Sequence, residues 1–214
     1  MIRSLESEIM DSPDVKGPVL EKFHRDLNFV NRCLGTFPTI ERFISADPQP
    51  VRRVLDIGCG GGALLEYLQR RMGVEVIGVD QKPPSHGRVP IVEADAVNEK
   101  LPEADIAVCT LTAHHLTPEQ IVSLIRNVSR SARRFIIHDL IRHPLPLVLF
   151  TIFLCPLIGR EAAVDGRLSI HRAYTPEEFA QMASTALAGK GSFTTDVSPW
   201  RSRQILDIRF ERSN

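Results

Sequence analysis

Two hydrophobic patterns follow each other along the chain and change near residue 50. In the first, apolar residues recur at spacings of three and four, as on one face of an α-helix: Leu20, Phe23, Leu27, Val30 and Leu34. This pattern predicts a helix over residues 20–34 that ends at Gly35, and a second, shorter helix over 39–44. The first 17 residues are expected to form a frayed tail.

After residue 50, short runs rich in valine and isoleucine alternate with helical periods, which predicts a mostly parallel sheet with helices on both faces. Thr117 and Thr175 each precede a proline and are followed three residues later by Gln120 and Glu178, a capping-box pattern that starts a helix. The fold class is therefore α/β, a Rossmann-like, doubly wound, mostly parallel sheet with an antiparallel C-terminal strand pair. The predicted strands cover residues 54–57, 74–79, 89–92, 105–110, 134–139, 192–197 and 204–210.

The same pattern divides the chain into a tail and helical arm, residues 1–49, and a main domain, 50–214, with a small cap insertion over about 141–174. Residues 81–88 predict a loop where such sheets have a helix, so the N-terminal helix either covers the exposed sheet face or caps the active site. The apolar run 145–158 is too short and too rich in proline to span a membrane. It is either a buried helix or a lid over an apolar substrate, with contact to a membrane surface left open.

The charge balance and the cysteines limit the classes of binding partner and the cellular location expected for this chain. Lysine plus arginine and aspartate plus glutamate both number 26, so the zero net charge gives no support for a nucleic-acid partner. The four cysteines, Cys33, Cys59, Cys109 and Cys155, form no Cys-x-x-Cys pair and predict neither a zinc site nor a disulfide framework. A cytoplasmic location is therefore expected.

A glycine-rich turn joins the first strand of the main domain to its helix, with the sequence VLDIGCGGG at residues 54–62. Gly58, Gly60 and Ala63 satisfy the dinucleotide fingerprint, and Asp80 lies 20 residues after Gly60, where a ribose-binding carboxylate is expected. Asp56 argues against a dinucleotide, because a diphosphate would be repelled by this carboxylate, whereas a ligand with a cationic end would be attracted.

Four segments together resemble the motifs of class I S-adenosylmethionine-dependent methyltransferases. Residues 54–62 are similar to the first motif, 78–80 to the second, 93–96 to the segment that contacts adenine, and 111–116 to the segment after the fourth strand. The likeness is greatest to the small-molecule branch that includes quinone and polyketide methyltransferases. It implies an enzyme that uses S-adenosylmethionine as its cofactor.

The resemblance also implies a role for each matched position. Asp56 and the backbone of 58–62 would hold the methionine end, and Asp80 would bind both ribose hydroxyls. Asp95 would meet the adenine amino group, in line with the preference of carboxylates for hydrogen-bond donors. The complete cofactor set is Asp56, Gly58, Cys59, Gly60, Gly62, Asp80, Gln81, Asp95, Ala96, Thr110 and Leu111.

The predicted reaction is methyl transfer to an oxygen, or less readily a carbon, of an apolar small molecule such as a phenol, quinone or polyketide. Thr110 and Leu111 would lie near the sulfonium, and His115 or His114 just beyond them would act as a general base. His138 and Asp139 are adjacent on one strand and point to opposite faces, so they are not expected to work as a pair.

Two alternatives stay open, and no metal ion is predicted. A nicotinamide-dependent reductase would need a proton donor such as Tyr-x-x-x-Lys, but neither Tyr67 nor Tyr174 has a lysine four residues later. A non-catalytic cofactor-binding module would keep the same motifs. The histidines show no helical His-x-x-x-His pattern, which gives no support to a metal site.

Overall fold

The computed structural model describes residues 1–9, 18–83 and 88–211, and a seven-stranded sheet forms its centre. The strand order is β3-β2-β1-β4-β5-β7-β6, in which β1 to β5 run parallel and β7 is antiparallel to both its neighbours. This confirms the predicted α/β fold and its antiparallel C-terminal pair. The strands are Arg53–Ile57 (β1), Glu75–Asp80 (β2), Ile91–Glu93 (β3), Ile106–Thr110 (β4), Arg134–Leu140 (β5), Gly191–Val197 (β6) and Arg203–Phe210 (β7).

The helices follow the predicted order, with one clear shift at a boundary. The second helix begins at Thr36, three residues earlier than expected, because Gly35 takes a left-handed φ of 62° and Pro38 falls in the first turn, which needs no N–H donor from it. Both threonine capping boxes are present. The helices are Pro18–Cys33 (α1), Thr36–Ser45 (α2), Ala63–Met72 (α3), Pro118–Val128 (α4), Pro144–Leu149 (α5), Arg160–Arg172 (α6) and Pro176–Leu187 (α7).

Alternation along the strands divides the core into two layers. Leu55 and Ile137 belong to the layer that α4 and α7 cover, whereas Val54 and Ile136 belong to the layer that α2 and α3 cover. Polar residues at the ends of the strands follow the same alternation, which decides the layer that each of them enters.

The helical arm is anchored to the sheet by a buried cation. Arg134 on β5 donates to both carboxylate oxygens of Asp207 on β7, each at 2.8 Å, and to Asp47 after α2 at 2.9 Å. A guanidinium paired in this forked geometry is well compensated for its burial. This ion pair thus holds the end of the helical arm against the sheet. The division of the chain into an arm and a main domain at residue 50 stays a prediction.

The N-terminal segment and α1 meet the cap insertion. Val30 of α1 packs with Phe150 and Ile170 of the cap, which agrees with the capping alternative for this helix. The expectation of a frayed tail is wrong for residues 1–9, because the backbone N–H of Ser4 donates to the His171 carbonyl at 3.0 Å and that of Ile9 to the Asp165 carboxylate at 2.9 Å. Residues 10–17 lie outside the described part of the chain.

The predicted loop between β2 and β3 has neither helix nor strand at residues 81–83 and 88–90, and residues 84–87 lie outside the described ones. None of the described helices is long and apolar enough to span a bilayer.

Candidate active site

The glycine turn lies at the carboxyl end of β1, where open α/β sheets bind their ligands. Gly58, Gly60 and Gly62 have φ values of 68°, 51° and 77°, in the left-handed region that favours glycine. The turn is tied to β2 by hydrogen bonds from three of its N–H groups, the longest from Cys59 to the Val79 carbonyl at 3.4 Å. The N–H of Gly58 donates to the Val79 carbonyl, and that of Gly60 to the Asp80 carboxylate, both at 2.8 Å.

Asp56 is a buried carboxyl group whose Oδ1 atom has no hydrogen-bond partner among the described residues. Burial, with a smaller contribution from the negative charge of Asp80, raises the pKa of Asp56 to about 8. A cation placed here would stabilise the ionised carboxylate and complete its hydrogen bonds. The turn therefore fits the ammonium end of an amino acid and not a diphosphate.

The remaining predicted cofactor residues follow β2 and β3. The Asp80 carboxylate also accepts from the Lys82 N–H at 2.8 Å, and Gln81 beside it is exposed. Asp95 uses both carboxylate oxygens within its own loop, accepting from the Val97 N–H at 2.9 Å and the Asn98 side-chain amide at 2.7 Å. Its further bond to an adenine amino group stays a prediction, as does the contact of half-buried Ala96.

Cys59 faces the second strand rather than the open side of the turn, since a Cβ at Gly78 would lie 2.4 Å from its sulfur. Burial, and after it the charges of Asp56 and Asp80, raises the pKa of the Cys59 thiol. The thiol is therefore neutral, and the contribution of this residue to a ligand would come from its backbone.

The end of β4 is strained where the sulfonium is expected. Leu111 has a φ of 55°, a left-handed value that an L-residue other than glycine rarely adopts, and its N–H donates to the His138 carbonyl at 2.9 Å. Thr110 holds a buried hydroxyl without a hydrogen-bond partner among the described residues. Leu111 packs at the edge of an apolar cluster formed by Val30, Leu140, Phe150, Ile170 and Ala173.

The two candidate histidines occupy different environments. His114 is buried, and its Nδ1 atom lies 2.7 Å from the carboxylate of Asp139, whose pKa this imidazole and other donors lower against the opposing effect of burial. Its Nε2 atom lies 3.6 Å from Glu8. His115 is half-exposed, with its Nε2 atom 3.9 Å from the other oxygen of Glu8. The role of either as a base stays a prediction.

Sequence reasoning missed Glu8, Arg3 and the partnership of Asp139 with His114. Arg3 donates to the carbonyls of His114 and Leu116, both at 3.0 Å, and lies 4.1 Å from the Tyr174 ring centroid. The N-terminal segment therefore holds the histidine turn in place. No local sequence pattern predicts a contact between residues more than 100 positions apart.

One group of side chains has the spacing of a metal site. The ligand atoms of Glu8, His114 and His115 all lie within 4.8 Å of one another. A carboxylate oxygen of Glu8 already accepts from the Ser169 hydroxyl at 2.8 Å, and the Arg172 Nε atom lies 3.9 Å from it. Protein groups thus account for this carboxylate, and the expectation of no metal ion stays a prediction.

The structure of the cap rules out one of the two interpretations of the apolar run 145–158, that of a buried helix. It is a short helix followed by a π-helical turn, Phe150–Leu154, and Ile152, Phe153 and Leu157 are more than half exposed. A fully buried helix is therefore wrong. Phe150 of this turn is buried in the apolar cluster and Leu154 packs against it, as a lid would require, and the contact with a membrane surface stays a prediction.

Comparisons with known proteins agree with this geometry. Residues 54–134 match the family model described as a methyltransferase domain. The chain is 28% identical over 179 residues to the ubiquinone biosynthesis O-methyltransferase of Xylella fastidiosa, covering 73% of this chain and 69% of that protein. It is 31% identical over 127 residues to the enzyme of the same name from Hahella chejuensis, covering 52% and 50%.

Solved structures share the fold at low sequence identity. The plantazolicin methyltransferase BpumL in complex with SAH superposes with a TM-score of 0.70 at 15% identity, covering 91% of both chains. The methyltransferase SibL in its apo form gives 0.64 at 16% identity, covering 92% of this chain and 60% of that one.

The glycine turn, the unpaired carboxylate beside it and these relatives define the class of protein. Residues 54–134 match a methyltransferase domain, and the fold of the chain is that of solved S-adenosylmethionine-dependent methyltransferases.

Gly58 offers a direct test of the turn. A Cβ there would lie 2.4 Å from the Thr112 Cγ2 atom, in a backbone conformation unfavourable to alanine, so Gly58→Ala should lower the free energy of unfolding by about 1–3 kcal/mol. Binding of S-adenosylhomocysteine (SAH), followed by calorimetry, should weaken as well. Gly61→Ala is the matched control because its Cβ meets nothing within 4 Å. Equal losses in both variants would contradict this account.

Proposed function

We propose that this enzyme transfers the methyl group of S-adenosylmethionine to an oxygen, rather than a carbon, of an apolar small molecule of the phenol, quinone or polyketide type. The observation that carries the proposal is the position of the apolar cluster, which adjoins Leu111 at the predicted sulfonium end of the cofactor site. The similarity of the chain to two ubiquinone biosynthesis O-methyltransferases supports oxygen as the acceptor atom and a quinone-like ring as the part of the substrate that bears it.

Asp56 and Asp80 each have a defined task in the proposed cofactor site. Asp56 neutralises the ammonium group, and Asp80 accepts hydrogen bonds from the ribose hydroxyls while it fixes the Gly60 N–H. When bound, S-adenosylmethionine supplies an activated methyl group, because a sulfonium is a good leaving group. The protein then has to align the acceptor oxygen and exclude water, which the cap and α1 accomplish from above the apolar cluster.

The cofactor part of this proposal is tested by calorimetry with S-adenosylmethionine, SAH and NADH. We expect the first two to bind and NADH to fail, because NADH has no ammonium group to complete the hydrogen bonds of Asp56 and would leave the buried Oδ1 atom without a partner. Tight binding of NADH alone would overturn the proposal.

The acceptor part is tested by turnover against panels of phenols, quinones and lipids, with methylated product identified by mass spectrometry. Products methylated on oxygen would support the proposal, whereas products methylated on carbon would overturn it in favour of carbon methylation. Binding of SAH without turnover on any panel would instead favour a non-catalytic cofactor-binding module. The cytoplasmic location rests on the spacing of the cysteines alone and stays a prediction.

His115 is the candidate base that the structure leaves partly accessible, with 29% of its side chain exposed. If it removes the acceptor proton, His115→Ala should lower kcat by about 100-fold or more with little change in SAH affinity. His114→Ala should have a comparable effect together with a loss of stability, since it leaves the buried Asp139 without its imidazole partner. Unchanged turnover in both variants would remove this pair from the mechanism.

A further inference from the structure

Five buried side-chain atoms lack a hydrogen-bond partner among the described residues, and all five belong to the layer between the sheet and α2–α3. Buried polar groups are ordinarily bonded, so a concentration of unbonded ones indicates a missing partner. They are Thr36 Oγ1, Asp56 Oδ1, Thr110 Oγ1, His138 Nδ1 and Arg203 Nε.

The strand register explains why they share a layer. Thr110 on β4 pairs with His138 on β5, which pairs with Ile205 on β7, so these three side chains form one row on the same face. Arg203 lies two residues before Ile205 and therefore points to that face as well, beside Leu140 at the carboxyl end of β5. Thr36 belongs to α2 and lies one turn before Ile40, which packs in the same layer.

Arg203 brings an uncompensated positive charge to this row. It is 7% exposed and forms no ion pair with a described carboxylate. Asp139, the one charge that acts on it favourably, already accepts from His114. Burial lowers the pKa of Arg203 to about 10, so the guanidinium is still charged at neutral pH.

His138 is neutral in the same row. Burial, and after it the charge of Arg203, lowers its pKa to about 3. A fixed cation beside a neutral imidazole and a hydroxyl is a suitable environment for an oxygen that carries negative charge. Because the ammonium end of the cofactor accounts for Asp56, we assign a second ligand to Thr110, His138 and Arg203.

The surroundings of the row define the rest of that ligand. Leu140, the strand partner of Arg203, and Leu111, the neighbour of Thr110, both belong to the apolar cluster beneath the cap. The ligand therefore combines one acidic oxygen with an apolar body.

We propose that Thr110, His138 and Arg203 bind the reacting oxygen of the methyl acceptor as an anion, which makes the acceptor a phenol with an acidic hydroxyl group. The hydroxyl gives its proton to the base as the anion forms in the site, which the proposal above places at His115, and the base passes that proton to solvent. This inference rests on the proposed O-methyltransferase function and deepens it by naming the acceptor's ionisation state and the residues that hold it.

The probe for the test is 4-nitrocatechol, whose phenolate absorbs at longer wavelength than the neutral phenol. In the presence of SAH, the wild-type protein should bind it with the phenolate spectrum about one pH unit below the pKa of the free probe. Arg203→Met should weaken its binding about 10- to 100-fold and abolish the spectral shift, while SAH affinity changes less than about threefold. Arg209→Met, on the same strand but with a half-exposed side chain, is the control and should change neither.

Thr110→Val supplies an independent measurement. Removing an unbonded buried hydroxyl should raise the melting temperature of the ligand-free protein by about 2–4 °C while it weakens probe binding. A purely structural hydroxyl would give a lower melting temperature. Should Arg203→Met fail to fold, Arg203→Lys keeps the charge without the fork and should retain the spectral shift with weaker binding.

The outcomes separate this inference from the proposed function. Failure of the wild-type protein to bind SAH would overturn the function itself. Intact SAH binding together with a neutral bound probe, no bound probe, or probe binding unaffected by the Arg203 and Thr110 variants would overturn the anion site alone.

Discussion

Asp80→Ala is expected to weaken SAH binding by about 100-fold or more. The carboxylate has two functions, since it holds the Gly60 and Lys82 N–H groups at 2.8 Å and is predicted to accept from both ribose hydroxyls. Hydrogen bonds to a charged group contribute about 1.5–3 kcal/mol each, so the loss of two corresponds to a factor of this size. Calorimetric titration with SAH measures the effect.

Two further variants isolate the charge of Asp80 from its shape and from general effects on the surface. Asp80→Asn retains one acceptor oxygen and should lose less affinity than alanine. Asp196→Ala removes an exposed carboxylate from β6, away from the glycine turn, and should bind SAH like the wild type. Wild-type affinity in Asp80→Ala would show that the ribose is held elsewhere.

Asp56→Asn is expected to stabilise the ligand-free protein progressively as the pH rises. In the wild type, the folded pKa of about 8 exceeds the unfolded value near 4, so the folded state keeps a proton that the unfolded state releases. The stability associated with this group is complete below pH 4 and is lost as the pH rises towards 8. The loss amounts to about 1.4 kcal/mol per pH unit, or up to about 4 kcal/mol between pH 5 and pH 8.

Chemical denaturation of both proteins at pH 5 and pH 8 measures this difference. Asparagine cannot titrate, so the variant lacks the pH-dependent loss of the wild type. The free energy of unfolding of the variant minus that of the wild type should therefore increase as the pH increases. The constant cost of burying an amide cancels in the comparison between the two pH values. A difference that is independent of pH would mean that Asp56 is ionised in the ligand-free protein.

The same titration links Asp56 to cofactor binding. An arriving ammonium group converts the protonated carboxyl to a carboxylate, so SAH should bind to the wild type at pH 7 with release of about one proton. Calorimetry in two buffers of different ionisation enthalpy counts that proton. Asp56→Asn should bind SAH more weakly and release none.

The fold and the cofactor turn could be predicted because their determinants are local. Gly58, Gly60 and Gly62 are required by positive φ angles within the turn itself, and the strand alternation places Asp56 in a buried layer. Helix caps at Thr117 and Thr175 are likewise properties of four consecutive residues.

The environment of the catalytic candidates could not be predicted in this way. Adjacent on one strand, His138 and Asp139 point to opposite faces as expected, but their partners come from β4, β7 and the histidine turn. The tail that was expected to fray instead supplies Glu8 to that turn. These contacts join positions far apart in the chain, where hydrophobic periodicity carries no signal.

The amino-acid sequence by itself determined the α/β class, the glycine turn and the acidic groups that follow the strands, because each depends on neighbouring residues. The tertiary structure alone decided which polar atoms remain unbonded. Thr110 and His138 form one row with Ile205, and Arg203 lies two residues before Ile205 on the same face, so residues of three strands share that face only through the sheet register. Burial and mutual charge then set their ionisation, and neither property can be assigned to a residue before its neighbours in space are known.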